Sequence, residues 1–188
     1  MSRIEIIIGG FGGQGILLAG KILAEAAMYD GNNVVQTRLY GAEARGGVTR
    51  SDVIISNEEI DYPLVIKADF LIAMSQQAFN HYIKNVKEDG IIIVDEDLVR
   101  EDFKNKEKAN ILRIAATKLA SYELKYPRTA NIIMIGVFVG FTEIISLNST
   151  IKAIKNNLPR KIEEVNLKAL MKGLEIGKSF KKFIKFDQ

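Results

Sequence analysis

The sequence predicts an α/β protein: a Rossmann-like three-layer fold with a mostly parallel sheet, closed as a single domain over residues 1–188. Three observations predict it. Six short β-branched runs recur along the chain, stretches with helical spacing of apolar residues separate several of them, and a glycine-rich turn, "GGFGGQG" at 9–15, joins the first run to the first helical stretch. Buried strands alternating with amphipathic helices are satisfied most economically by a parallel sheet covered with helices. At 188 residues and 47% hydrophobic composition, the chain can close one sizeable core but not two comfortable ones.

The strands are expected at 4–8, 34–37, 52–56, 70–75, 91–95 and 111–115, each rich in Ile, Val or Leu. Between the first two, Ile16, Leu17, Ala19, Ile22, Leu23 and Ala26 have the spacing that lays one helical face on a sheet, which predicts a helix over 14–29. Helices over 76–86 and 117–124 continue the alternation. The stretch 131–145, "NIIMIGVFVGFTEII", is apolar on nearly all sides, so it is expected to pack against the sheet and also against another surface such as a partner subunit. "NSTIKAIKNN" and "PRKIEEVNLKALMKGLEIGKSFKKF" predict two more helices. Pro159 suits the first turn of the last one, and Gly177 is expected to be a weak point within it.

Composition removes several chemistries. With no cysteine there is no disulfide, no thiol nucleophile and no thiolate to hold an iron–sulfur cluster. The single histidine, His81, cannot build a His-rich zinc site, and no metal site is assigned; on an expected helix beside Phe79 and Tyr82 it reads as a structural or surface residue, and no catalytic residue is assigned. No apolar stretch reaches the roughly 20 residues of a membrane span, and the start lacks a secretory pattern. A cytoplasmic protein without a membrane partner is expected. Net charge is +3, but residues 151–188 carry nine lysines and one arginine against four acids, a local +6 that leaves the first 150 residues at −3. Spread lysines without clustered arginines or aromatics read as a solvated helix face, and no nucleic-acid partner is expected.

Two loops carry the functional signal. Gly10, Gly12 and Gly15 match G-x-G-x-x-G between a strand and a helix, where glycines allow positive φ and a helix start favours an anion. A dinucleotide site also wants an acidic residue at the end of the next strand for the ribose hydroxyls. Gln36, Thr37 and Arg38 stand there instead, so only an NADP reading, with Arg38 against the 2′-phosphate, survives. Gly10 and Gly15 read as turn-formers, whereas Gly12, Gly13 and Gln14 at the tip suit an anion or a partner surface. The second loop, within "YGAEARGGVTRSDVIIS" at 40–56, combines Gly41, Gly46 and Gly47 with Glu43, Arg45, Thr49 and Arg50. Loops of this composition at the carboxyl edge of a parallel sheet are where α/β proteins bind ligands.

These two loops, followed in order by "DFLIAMS", "GIIIVD" and "PRTANIIMIGVFVG", resemble the gamma subunit of the 2-oxoacid:ferredoxin oxidoreductases over most of the chain. The resemblance implies a subunit of an enzyme that decarboxylates a 2-oxoacid on thiamine diphosphate with magnesium, passes electrons through iron–sulfur clusters to ferredoxin, and delivers the acyl group to coenzyme A. "YGAEARGG" is closest to the 2-oxoglutarate type. It further implies that thiamine diphosphate, magnesium and the clusters sit on partner subunits, alpha and beta with delta as a further candidate, and that this chain binds no cofactor by itself and is inactive alone. Its expected contribution is subunit contact and part of the coenzyme A site. Carried over by motif, Gly46, Gly47 and Thr49 face the catalytic subunits, Arg45 and Arg50 flank them as partners for phosphate oxygens, and Gly12, Gly13 and Gln14 form the first loop. Two other readings stay open at this point: a free-standing NADP-linked oxidoreductase and a non-catalytic scaffold. Exposed apolar surface on the isolated chain raises the expectation of a homodimer.

Overall fold

The computed structural model describes residues 3–40, 47–100 and 110–182. A six-stranded sheet forms from β1 (Ile4–Phe11), β2 (Asn33–Tyr40), β3 (Val48–Ser56), β4 (Ala68–Ala73), β5 (Val86–Asp95) and β6 (Asn110–Ile114), in the order β2-β3-β1-β4-β5-β6. β1, β4, β5 and β6 run parallel, and β3 lies antiparallel between β1 and β2. All strands but β3 therefore point the same way. All six runs expected from the sequence are strands, most of them longer than the runs themselves.

Strand side chains alternate between two cores, as the two-residue period requires. Ile6, Ile8, Phe70, Ile72 and Ile93 face α1 (Ile16–Tyr29), α4 (Ala130–Thr142), α5 (Leu147–Asn157) and α6 (Arg160–Phe180). Ile7, Ile54, Leu71 and Ile92 face the other way, onto Ala78 and Phe79 of α2 (Gln76–Tyr82) and Val65 of the β3–β4 connection. α2 starts at Ser75, whose hydroxyl accepts from the Ala78 amide at 3.2 Å as a helix N-cap. It ends at Tyr82, earlier than the sequence predicts, in a 3-10 turn at Ile83–Asn85. The helix expected over 117–124 is a short α3 (Ala116–Lys118) running into a π-helical turn at Leu119–Glu123.

Two expectations about the C-terminal helices need correction. Every residue of α4 is buried, yet what covers the face away from the sheet is α6 of the same chain, not a partner. Gly136 and Gly140 on α4 meet Gly173 and Gly177 on α6. A Cβ on Gly173 would lie 2.9 Å from Gly136 Cα, and one on Gly140 would lie 2.9 Å from Leu174 Cα. Gly177 is thus a contact point at which the two backbones touch, and α6 continues through it to Phe180. Tertiary contact offsets the intrinsic helix penalty of glycine there.

Candidate functional site at the sheet edge

β1 ends in Phe11, and the chain turns through Gly12 to Gly15 into α1. Gly13 has φ 93° and Gly15 φ 74°, left-handed values that glycine adopts without strain. Gly12 and Gly13 are exposed, with open space where a side chain would project. Gly10 and Gly15 differ. A Cβ on Gly10 would press on Gln14 and Ile16, and one on Gly15 would fall on the Asn131 amide, with its Cγ at 3.2 Å. The turn-forming role read for these two glycines follows from that crowding.

Side chains lock the turn. Gln14 Oε1 accepts from the Phe11 amide at 2.6 Å and Nε2 donates to the Met74 carbonyl at 2.7 Å, so Gln14 ties the end of β1 to the end of β4. Asn131 Nδ2 donates to the Gly15 carbonyl at 3.1 Å while its Oδ1 accepts from the Ile132 amide at 2.9 Å. The first turn of α4 is thereby fastened to the start of α1. Both side-chain amides are engaged, and Gly12 and Gly13 are the exposed residues of the turn among the described residues.

The second loop returns to the same edge. β2 and β3 pair from Tyr40↔Thr49 down to Asn33↔Ser56, and β3 meets β1 from Phe11↔Val48 down to Ile4↔Ile55. Gly47 and Val48 therefore lie beside the glycine turn. Thr49, paired with both Gly10 and Tyr40, is buried. Arg45 and Gly46 lie outside the described residues. Arg50, expected to flank the loop and meet phosphate, is on β3 and only 8% exposed. Its Nε donates to Asp52 Oδ1 at 2.5 Å and its Nη2 to Oδ2 at 2.7 Å, Nη2 also reaches the Val65 carbonyl at 3.1 Å, and the guanidinium lies 5.1 Å from the Tyr82 ring centroid. Burial pushes the Asp52 carboxyl up while the Arg50 guanidinium pulls it back down, and burial raises the Tyr82 hydroxyl. Asp52, Tyr82 and Asn131 were not singled out from the sequence. The signal for the first was the spacing of Arg50 and Asp52, two apart on a strand and so on one face.

The geometry bears on the dinucleotide alternative. β3 separates β2 from β1, which puts Arg38 two strand spacings, about 10 Å, from the strand that carries the glycine turn. Gln36, at the position where a ribose acceptor was sought, instead donates to the Leu17 carbonyl at 3.2 Å and to Ser51 Oγ at 3.0 Å. It packs α1 onto the sheet. Among the described residues no group of three or more His, Asp or Glu side chains could hold a metal ion, and no helix is long and apolar enough to cross a membrane.

Comparison with known proteins settles the lineage. The profile of the pyruvate ferredoxin/flavodoxin oxidoreductase family matches residues 5–176. The chain belongs to this family. Within it, the chain is 49% identical to the 2-oxoglutarate synthase subunit KorC of Methanocaldococcus jannaschii over 177 residues, covering 94% of this chain and 95% of that protein. The KorC of Methanothermobacter marburgensis is 45% identical over 179 residues, 93% of this chain and 96% of that one. The crystal structure of a keto/oxoacid ferredoxin oxidoreductase gamma subunit from Geobacter sulfurreducens superposes with a TM-score of 0.82 at 36% identity, over 94% of this chain and 99% of that one. The family's gamma-type fold is therefore the fold described above, with the glycine turn and the β2–β3 junction on one edge.

Proposed function

We propose that this chain is the gamma-type subunit of a 2-oxoglutarate:ferredoxin oxidoreductase, the complex that converts 2-oxoglutarate and coenzyme A to succinyl-coenzyme A and carbon dioxide while reducing ferredoxin. The observation that carries it is the 49% identity, over 94% of this chain, with a 2-oxoglutarate synthase subunit. On this reading residues 1–188 form one gamma-type domain working in the cytoplasm with alpha and beta subunits, and delta where present. Thiamine diphosphate, magnesium and the iron–sulfur clusters belong to those partners and supply carbanion and electron-transfer chemistry there. The composition of this chain agrees with that division, since it has no cysteine to ligate a cluster.

The chain's own part is at the edge. Gly12 and Gly13, with open space above their backbone, let a ligand's phosphates approach amide groups closely. Gly47, beside the turn, extends that edge, Thr49 anchors it from within the sheet, and the motif they belong to also supplies Gly46 and Arg45, whose cation complements the charge of coenzyme A. Gln14, hydrogen-bonded at both ends, holds the turn rigid so that little ordering is needed on binding. Holding coenzyme A in place converts acyl delivery from an encounter in solution into a step between fixed partners.

The test is reconstitution with the partner subunits, assaying reduction of a ferredoxin or viologen. Turnover is expected with 2-oxoglutarate in preference to pyruvate and 2-oxoisovalerate, dependent on coenzyme A, and absent for the lone chain. Preference for another 2-oxoacid refutes the substrate, and NADP-linked activity of the lone chain refutes the subunit reading.

A further inference from the structure

The buried Arg50–Asp52 pair lies just inside the edge, with its guanidinium already bonded to protein groups. Four segments meet at this guanidinium. Asp52 on β3 takes both of its forks at 2.5 and 2.7 Å, Val65 of the β3–β4 connection accepts a third bond at 3.1 Å, and Tyr82 of α2 lies beneath it at 5.1 Å. The fourth is β1. Gly9 pairs with Arg50 across the ladder, and a Cβ there would press on the Tyr82 ring at 3.0 Å. The missing side chain of Gly9 makes room for the ring on which Arg50 rests. Two residues before Arg50, Val48 pairs with Phe11 at the lip of the glycine turn. The carboxylate opposite Arg50 neutralises it, and both side chains are buried, Asp52 at 3% exposure.

We propose that Arg50 is a positioning residue: clamped to Asp52, Val65 and Tyr82, it fixes Gly47 to Thr49 against the β1 turn and so shapes the coenzyme A edge without touching the phosphates. The inference rests on the functional reading above, in which coenzyme A meets this edge. It differs from direct phosphate contact by Arg50 in the sign of one effect. If Arg50 were a phosphate ligand restrained by Asp52, neutralising Asp52 would free the cation and tighten coenzyme A. If the pair is a clamp, breaking it from either side loosens the edge and weakens coenzyme A.

The experiment uses the reconstituted complex carrying the wild-type chain, D52N, R50Q or the double variant R50M/D52L. D52N and R50Q are expected to raise KM for coenzyme A alike, by about tenfold, with kcat at saturating coenzyme A within about twofold of wild type and KM for 2-oxoglutarate unchanged. Each single variant strands a buried polar partner and can cost folding, whereas apolar replacement of a whole ion pair is commonly tolerated. R50M/D52L therefore keeps the test decisive: it is expected to fold, with Tm near wild type, and to show the same rise in KM. A KM for coenzyme A at or below wild type in D52N, an unchanged KM in folded R50M/D52L, or a loss confined to kcat overturns the positioning role. If the wild-type complex does not turn over 2-oxoglutarate, the functional reading fails, and the role of the clamp toward coenzyme A fails with it.

Discussion

Substituting Gly173 by alanine puts the close α4–α6 crossing to a quantitative test. On an exposed helix the change would stabilise by roughly 1 kcal/mol, because alanine is the better helix former. Here the new methyl would lie 2.9 Å from Gly136 Cα and 2.9 Å from the Val137 amide nitrogen, and closer still to the Ile133 carbonyl oxygen. The obstruction is backbone, which cannot rotate away. Carbon atoms pack best at about 3.5–4.0 Å, so the helices must part by about 1 Å along their contact. α4 is buried along its whole length, with Phe138 edge-on to Phe70 of the sheet at 5.1 Å, so parting opens gaps on one side or compresses the other. Overpacking of this kind costs about 1–3 kcal/mol, and lost contacts along the seam add to it, leaving a net loss of about 2 kcal/mol after the propensity gain. For a chain of this size that lowers Tm by roughly 4–8 °C. Urea titration and calorimetry measure it, with G12A as the control, since Gly12 has open space and no positive φ and should change stability by less than about 0.5 kcal/mol. A G173A chain as stable as wild type, or more so, refutes the account of how α4 is buried.

Three further outcomes are expected. Gln14→Glu keeps an acceptor for the Phe11 amide but loses the donor to Met74, and it should destabilise by about 1–2 kcal/mol in the same urea assay. Gly15→Ala forces a side chain into a left-handed position against Asn131, and the double variant with Asn131→Ala should be less damaged than the sum of the single changes by about 1 kcal/mol, a coupling that a double-mutant cycle reads directly. Asp95 is buried at the end of β5 and accepts from Thr117 Oγ1 at 2.6 Å, and its burial raises its pKa above the ordinary value of 3.8 despite the hydrogen bonds that lower it. The folded chain therefore holds this proton more tightly than the unfolded chain. Stability from this group is full below pH 3.8 and is lost as pH rises through the raised folded value, so the Tm of wild type minus that of D95N should fall across that window and level off above it.

The sequence carried most of the sheet. The central strands β1, β3, β4 and the second half of β5 are buried on both faces, which explains why their Ile, Val and Leu runs do not alternate, while the edge strands β2 and β6 are partly exposed and carry polar residues within them. The direction of β3 was not visible in its own residues, because a buried strand reads alike both ways. It lay in the connection: seven residues between Tyr40 and Val48 are too few for a parallel crossover, which needs a dozen or more. Glycine and charged residues between 38 and 51 blur the strand ends and with them that constraint. For the same reason Arg50 reads as a loop cation in the sequence, although it belongs to β3 and bonds Asp52. In the glycine turn, the crowding at Gly10 and Gly15 and the open space at Gly12 and Gly13 match their separation in the sequence, whereas Gln14, grouped there with the open tip, turns its side chain inward to Phe11 and Met74. The role of Gly177 depended on a helix distant in sequence. Although Gly136, Gly140, Gly173 and Gly177 recur at four-residue intervals, the spacing alone does not say which helices pair.

Amide hydrogen exchange on the reconstituted complex, with and without coenzyme A, tests the central claim most directly: this chain lends an open backbone edge to a larger enzyme and carries no cofactor chemistry of its own. Protection on adding coenzyme A is expected in the peptides spanning Gly10–Gly15 and Gly47–Arg50, and not when coenzyme A is added to the lone chain. Unchanged exchange at both segments in an active complex, or NADP protecting the glycine turn of the lone chain, would contradict it.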